Sequence, residues 1–295
     1  MNSKDQLFRF IFENLDIRGE LIYLESSWQA MLERHVYPEH IQQQLGQATI
    51  AAALLSATIK FDGSLILQIQ GDGPLYTLVT QASSDGSLRG LAKWTHEVPN
   101  GLLEEIYGKG RMVITIRPAQ GEPYQSIVPL VGNSLGAALE SYFIHSEQLK
   151  SRFWFFVDKQ ASSVDNPRIA GLFLQELPSR NADDDTDWER LSTLAQTTTA
   201  EEIFSLAPEQ LLNRLFHEEQ VRLYEPKPFR FKCGCSRKKI ESSLIAMGQD
   251  SLLEILQEEH EIKADCEFCY QHYSFSAADV DKLFPATNDP DKVLH

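Results

Sequence analysis

All four cysteines of the 295-residue chain lie in its last 63 residues, as Cys233-Gly234-Cys235 and Cys266-Glu267-Phe268-Cys269. Thirty residues separate the two pairs, and the first 232 residues carry no thiol. Two close pairs at such a separation make a four-thiolate tetrahedral site, for which zinc, one ion per chain, is the expected occupant. Zinc suits soft thiolate ligands and brings no redox chemistry of its own; an iron–sulfur cluster is the alternative, disfavoured by short, separate pairs. The first pair is tighter than the usual zinc knuckle, and Gly234 permits the backbone this requires. His260 and His272 are the other candidate ligands, but four sulfurs already complete a tetrahedron. Each pair is also close enough in sequence for its two sulfurs to oxidise to each other.

Charge and compartment narrow what such a centre does. The chain holds 27 basic and 42 acidic residues, a net charge of −15. That argues against a nucleic-acid binder, which normally shows a basic footprint, and against an anionic membrane surface. Asp5, Arg9 and Glu13 interrupt any apolar core at the N-terminus, so no secretory signal is expected, and Ile41–Ile59, with its four glutamines, reads as a buried helix rather than a span. The expected compartment is a reducing cytoplasm, where clustered cysteines bind metal or act in redox chemistry more often than they form structural disulfides. Lys232, Arg237, Lys238 and Lys239 crowd the first pair, in a lobe that is otherwise acidic. Cations beside sulfur favour the thiolate, although the same run reads equally as a solvated helix face. Cations at a helix N-terminus oppose its dipole, so an anionic neighbour is expected there.

The pattern along the chain predicts an α+β fold in three parts: a core domain over 1–179, a helical linker over 180–232 and a zinc lobe over 233–295. In the first part Trp28–His35 and Pro38–Ile59 read as helices. Strands follow at 65–70, 75–80 and 88–94, each preceded by a turn: Asp62-Gly63, Gly71-Asp72-Gly73-Pro74 and Asp85-Gly86. Asp-Gly between alternating apolar runs signals hairpins, so a mostly antiparallel sheet is expected. A further hairpin is expected from 112–118 to 124–131, then a helix over Leu135–Lys150 and strands at 153–158 and 169–177. The middle part opens on the acidic run Asp183–Asp187. Thr199-Ala200-Glu201-Glu202 fits a capping box, and Pro208 opens a helix carrying Leu211, Leu212, Leu215 and Phe216. Helices this short are marginal in water without a surface to rest on. Glu225-Pro226-Lys227-Pro228 reads as a stiff hinge.

These parts suggest a switch. A lobe of 63 residues has a small core, whereas structural zinc contributes about 10–16 kcal/mol of apparent binding energy. Whole domains are stable by only about 5–15 kcal/mol. Oxidising the thiols is expected to eject zinc, unfold the lobe and release the marginal linker. Ile203, Phe204, Leu206, Leu211, Leu215 and Phe216 are then exposed, and an apolar surface of that kind binds other exposed apolar surfaces.

The run FKCGCSRKKIESSL…ADCEFCYQHYSFSAADV closely resembles the 33-kilodalton heat-shock protein family, the redox-regulated holdase chaperones of bacteria. RGELIYLESSWQAML, IKFDGSLILQIQGDGPL, RGLAKW, SYFIHSEQLKSRFWF, AGLFLQELP and LNRLFHEEQVRLYEP extend the resemblance over essentially the whole chain. The resemblance implies zinc on Cys233, Cys235, Cys266 and Cys269 in an inactive reduced form. It implies that oxidation forms disulfides Cys233–Cys235 and Cys266–Cys269 with loss of zinc and unfolding of the linker. The activated form, often a homodimer, then captures unfolding client proteins under oxidative stress without ATP, and there are no catalytic residues.

Four other readings compete. Gly132-Asn133-Ser134-Leu135-Gly136 matches a nucleophile elbow, with Asp158 or Asp165 and His217 as partners, but hairpins upstream do not build the parallel sheet that elbow needs; Asn133 or Ser134 as helix cap is the plainer reading. Gly71-Asp72-Gly73 and Gly108-Lys109-Gly110 lack the rest of any nucleotide fingerprint. A nucleic-acid-binding zinc ribbon is opposed by the lobe's net charge of −6. A thiol–disulfide oxidoreductase needs its Cys-x-x-Cys after a strand in a βαβ unit, whereas Cys266 sits in what reads as a small hairpin.

Overall fold

The computed structural model describes residues 5–58, 62–95, 97–158, 167–178 and 186–284. The chain divides into two compact units, Met1–Lys232 and Cys233–His295. In chain order the first contains β1 (Gln6–Phe12), β2 (Ile17–Leu24), α1 (Ser26–Leu32), α2 (Glu39–Thr58), β3 (Gly63–Gln70), β4 (Leu75–Ser83) and β5 (Ser87–Trp94). It continues with α3 (Leu103–Tyr107), β6 (Arg111–Pro118), β7 (Tyr124–Pro129), α4 (Leu135–Tyr142), β8 (Ser151–Val157) and β9 (Ile169–Glu176). It ends in α5 (Thr186–Gln196), α6 (Ala200–Ser205), α7 (Pro208–Leu215), β10 (Val221–Leu223), β11 (Lys227–Pro228) and β12 (Arg230–Phe231).

Two six-stranded sheets enclose α2. One runs β10-β1-β2-β9-β8 with β11 also on β1; the other runs β12-β5-β4-β3-β6-β7. Every pairing is antiparallel except β12 on β5, as the Asp-Gly turns predict. Gly86 takes φ +77°, the left-handed conformation its turn demands. The segment Ala48–Leu55 of α2 is buried throughout, because the helix packs on β3, β4 and β5 on one side and on β2, β8 and β9 on the other. A helix apolar all round belongs in an interior. Gly171 on β9 allows the closest approach: a Cβ there would lie 2.2 Å from Ile50 Cγ2.

The outer face of the first sheet carries α5, α6 and α7. Phe8, Phe10, Phe12, Leu21, Leu172 and Leu174 meet Trp188, Leu191, Ile203, Leu211, Leu215 and Phe216 in one buried cluster. Phe216 lies edge-on to Phe12 with ring centroids 5.0 Å apart. Thr199 caps α6 in the expected box, its hydroxyl accepting from Glu202 N–H at 3.2 Å while Glu202 accepts from Thr199 N–H at 2.9 Å. The interface leaves the Tyr23 and Ser192 hydroxyls buried without a hydrogen-bond partner.

Several expectations are corrected. Lys227–Pro228 is no free hinge: it pairs with Gln6–Leu7 of β1, and Arg230–Phe231 pairs with β5, because these short stretches fill open sheet edges. The helix after Ser134 stops at Tyr142. A π-helical turn over Phe143–Glu147 follows, the Tyr142 hydroxyl donates to Glu147 at 2.6 Å, and Gln148 reverses the chain at φ +57°. Ser134 is the N-cap of α4, accepting from Ala137 N–H at 3.2 Å, and antiparallel strands surround it. Asp158 is held by Arg168 at 2.7 Å. Asp165 and most of the acidic run, Asp183–Asp185, lie outside the described residues. The strands β1 and β2 add a hairpin to those read from the sequence.

The second unit contains α8 (Arg237–Met247), α9 (Gln249–Glu259), β13 (Ile262–Asp265), β14 (His272–Phe275) and α10 (Ala277–Leu283). Its buried core is Leu244, Leu252, Leu256, Ile262, Phe275 and Val280.

Phe216→Ala empties the centre of the α5–α7 interface. It is expected to destabilise the first unit by about 3–5 kcal/mol in urea unfolding, with faster amide exchange concentrated in residues 186–216. Glu20 of β2 gives a pH prediction. Burial pushes its carboxyl up to about 8 against the opposing pull of Arg18, Arg9 and Lys227. Between the ordinary carboxyl value and about 8 the folded state binds one more proton than the unfolded, so this group's contribution is full in acid and is lost as pH rises, by roughly 1.4 kcal/mol per pH unit. Glu20→Gln is expected to flatten that slope in urea midpoints taken between about pH 5.5 and about pH 7.5.

Candidate metal centre

The second unit brings both cysteine pairs to one point. Cys233 and Cys235 lie in the extended stretch before α8; Cys266 and Cys269 lie in the turn of the β13–β14 hairpin. That turn is tight: Cys269 N–H and Tyr270 N–H both donate to Cys266 O, at 3.2 and 2.7 Å, and Tyr270 sits at φ +54°. Cys266 N–H donates to Gln271 O at 3.0 Å, closing the hairpin beneath the sulfurs.

The four Sγ atoms all lie within 4.8 Å of one another. Two close approaches run across the pairs, Cys233 to Cys266 at 3.5 Å and Cys235 to Cys269 at 3.4 Å. A zinc ion with bonds of about 2.3 Å in a tetrahedron sets sulfur–sulfur edges of about 3.8 Å. The four sulfurs therefore fit that ion, and all four are free thiols. Cys266 is buried and the other three are half-buried.

The sulfurs differ in acidity through their surroundings. At Cys233, burial opposes ionisation but is outweighed by hydrogen bonds from Cys235 N–H and the neighbouring thiols, which draw it down to about 7. At Cys269, burial and then the adjoining sulfurs push the thiol up to about 12, and burial raises Cys266 as well. Packing the sulfurs together thus lets Cys233 ionise easily and obstructs Cys266 and Cys269, an obstruction that a divalent cation removes.

Other candidates are placed differently from the expectation. His260 ends α9 in the left-handed conformation, and His272 pairs with Asp265 across the hairpin; neither is in the sulfur cluster. The basic run is largely spent on structure. Lys232 faces Asp85 at 3.6 Å, and Arg237 faces Asp279 at 3.2 Å and Glu241 at 3.3 Å while covering the Phe275 ring at 4.2 Å. Lys239 donates to Gly234 O. The anionic neighbours expected at the start of α8 are these carboxylates, and the lowered pKa of Cys233 comes from hydrogen bonds, not cations. Tyr273 is the residue the sequence reading lacked: its hydroxyl donates to Cys235 Sγ at 3.2 Å, and that bond, ahead of burial, raises the phenol to about 12. Its signal was in the hairpin register, which sets Tyr273 opposite Ala264, two residues before Cys266.

A protein of two antiparallel sheets around one buried helix, with a separate four-thiol unit, defines a thiol-centred α+β class. The Hsp33 protein family matches residues 5–276. The 33 kDa chaperonin of Nitrosococcus oceani is 52% identical over 284 residues, covering 96% of each chain. That of Shewanella sediminis is 43% identical over 291 residues, covering 98% of this chain and 99% of its own. The crystal structure of the 33 kDa chaperonin from Thermotoga maritima has the same fold at a TM-score of 0.81 and 22% identity, covering 95% of this chain and 97% of that one. The chain belongs to the Hsp33 family of chaperones. Among the described residues no helix is long and apolar enough to cross a membrane.

Cobalt reports the donor set directly. Titrating the reduced chain with Co²⁺ is expected to give the intense visible bands of a tetrahedral sulfur site, saturating at one ion per chain. Cys266→Ser is expected to weaken the bands and the affinity by about tenfold or more. Full retention by that variant would remove Cys266 from the ligand set.

Proposed function

We propose that this protein is a redox-regulated, ATP-independent holdase of the cytoplasm, without enzymatic activity. One zinc ion on Cys233, Cys235, Cys266 and Cys269 holds the reduced form inactive. The carrying observation is the convergence of four free thiols in a unit whose buried apolar core, among the described residues, is six side chains. With so little apolar burial, the sulfur–metal bonds are the main support of the fold.

The chemistry follows from the thiols. A thiolate attacks peroxide, the O–O bond breaks, and hydroxide leaves a sulfenic acid; a second thiolate attacks that sulfur and expels hydroxide. Each disulfide carries away two electrons, so two equivalents of peroxide convert the four thiols into Cys233–Cys235 and Cys266–Cys269. Disulfide sulfur is a poor ligand, so oxidised chains no longer retain the ion. The lobe unfolds, and the division into a core over 1–179 and a responsive linker over 180–232 then acquires its meaning. The α5–α7 helices, whose interface carries two unpartnered hydroxyls, leave the first sheet. Ile203, Leu211, Leu215 and Phe216 become available to unfolding clients, and the activated chain pairs as a homodimer.

The test combines three readings on one sample. Peroxide at mild heat is expected to release one zinc per chain, form two disulfides within the pairs by peptide mapping, and then suppress light scattering from a thermally unfolding client in substoichiometric time order, metal first. Zinc release with unabated client aggregation would refute the chaperone switch.

A further inference from the structure

A cleft of about 510 Å³ opens on the first unit, away from the thiols in sequence, lined by Arg9, Ile11, Arg18, Glu20, Thr58 and Tyr224 among others. Its size is that of a small-molecule site. Strand register builds it. Arg9 of β1 stands opposite Glu20 of β2, and Ile11 opposite Arg18, so these four occupy one face of the sheet. This is the α2 side, since Leu7 and Ile22 in the same alternation join the core around that helix.

Glu20 is only 1% exposed, and its Oε2 has no hydrogen-bond partner. Burying a polar atom unpaired costs about 1–3 kcal/mol, and such an atom in a cleft marks a place where something else completes the bond. Around it the charge is positive: Arg18, Arg9 and Lys227 all act on the Glu20 carboxyl. Arg18 gives Nε and Nη2 to Gln175 Oε1, at 3.2 and 2.6 Å, which fixes its guanidinium while leaving Nη1 outside that contact. Arg9 has an exposed side chain.

We propose that this cleft binds a small organic anion, a carboxylate or a phosphate ester, gripped by Arg9 and Arg18 beside the unpartnered Glu20 carboxyl. Guanidinium forks match the oxygens of either group. Ile11 and Tyr224 supply apolar and aromatic wall for the ligand's body. The carboxyl held up to about 8 by burial is neutral at pH 7, so it donates instead of repelling an anion. A cationic ligand meets two like charges, Arg9 and Arg18, in the same cleft. The site is independent of the redox reading above.

The experiment is calorimetric titration of the full reduced, zinc-loaded chain at neutral pH with citrate and, separately, with adenosine monophosphate. At least one is expected to bind with a Kd below about 1 mM. Citrate alone identifies a carboxylate site, and the nucleotide alone a phosphate-ester site. Arg9→Gln, a change at an exposed side chain, is expected to weaken binding about fivefold or more, with melting temperature and zinc content unchanged as a check on folding. Glu20→Gln keeps a donor and is expected to retain binding within about threefold. Failure of both probes to reach that affinity, or affinity in Arg9→Gln within about twofold of the unaltered chain, overturns the proposal.

Discussion

Four sulfur atoms within 4.8 Å of one another are the constraint on which the C-terminal unit depends. Among the described residues its helices bury one or two residues each, and its only sheet is the β13–β14 hairpin. A two-stranded hairpin with so thin a core is marginal in water. The sulfurs, by contrast, tie the stretch before α8 to the hairpin turn across more than thirty residues of chain. Under the proposed function their chemical state decides whether this unit keeps its structure, so that the sensor and the support are the same atoms.

The two units distribute stability in opposite ways. In the first, α2 is buried between two sheets and most of the core is assembled around it. Outside that core, α5, α6 and α7 are held by one apolar face, one capping box and a few surface ion pairs such as Arg190 with Asp187. Exposed pairs of that kind contribute little. The Tyr23 and Ser192 hydroxyls, buried without partners, weaken the same interface. A layer that is well shaped but poorly satisfied is the part of the unit that the proposed function asks to open.

Much of this was legible in the sequence, for reasons that differ by element. The cysteine pairs were legible because ligand spacing is chemistry carried by residue identity. The β3–β4–β5 meander was legible because Asp-Gly turns and period-two alternation leave a local imprint, and α6 because Thr199 and Glu202 cap it reciprocally. The first hairpin was harder. In Leu7-Phe8-Arg9-Phe10-Ile11-Phe12, Phe8, Phe10 and Phe12 face α5–α7, while on the other face Leu7 joins the core around α2 and Ile11 is half-buried beside the exposed Arg9, so apolar residues on both faces blur the alternation. The pairing of Lys227–Pro228 with β1 and of Arg230–Phe231 with β5 is long-range, and no local signal announces it. The partners of Arg237 and Lys239 were hidden likewise, since Asp279 and Gly234 O come near only once the unit has folded. The cleft at Glu20 needed the register of β1 against β2 to bring two arginines and a carboxyl onto one face.

The strand β1 holds both the β2 hairpin and, through β10 and β11, the segment that follows α7. The helical layer is therefore a span secured at each end, by β9 before it and by β10 and β11 after it. Detachment of that span leaves it leashed to its own docking face at high effective concentration, and the entropy of closing a leash of this length grows only logarithmically. Return is then a local event that needs no search, and any bound guest must compete with a rival that never diffuses away.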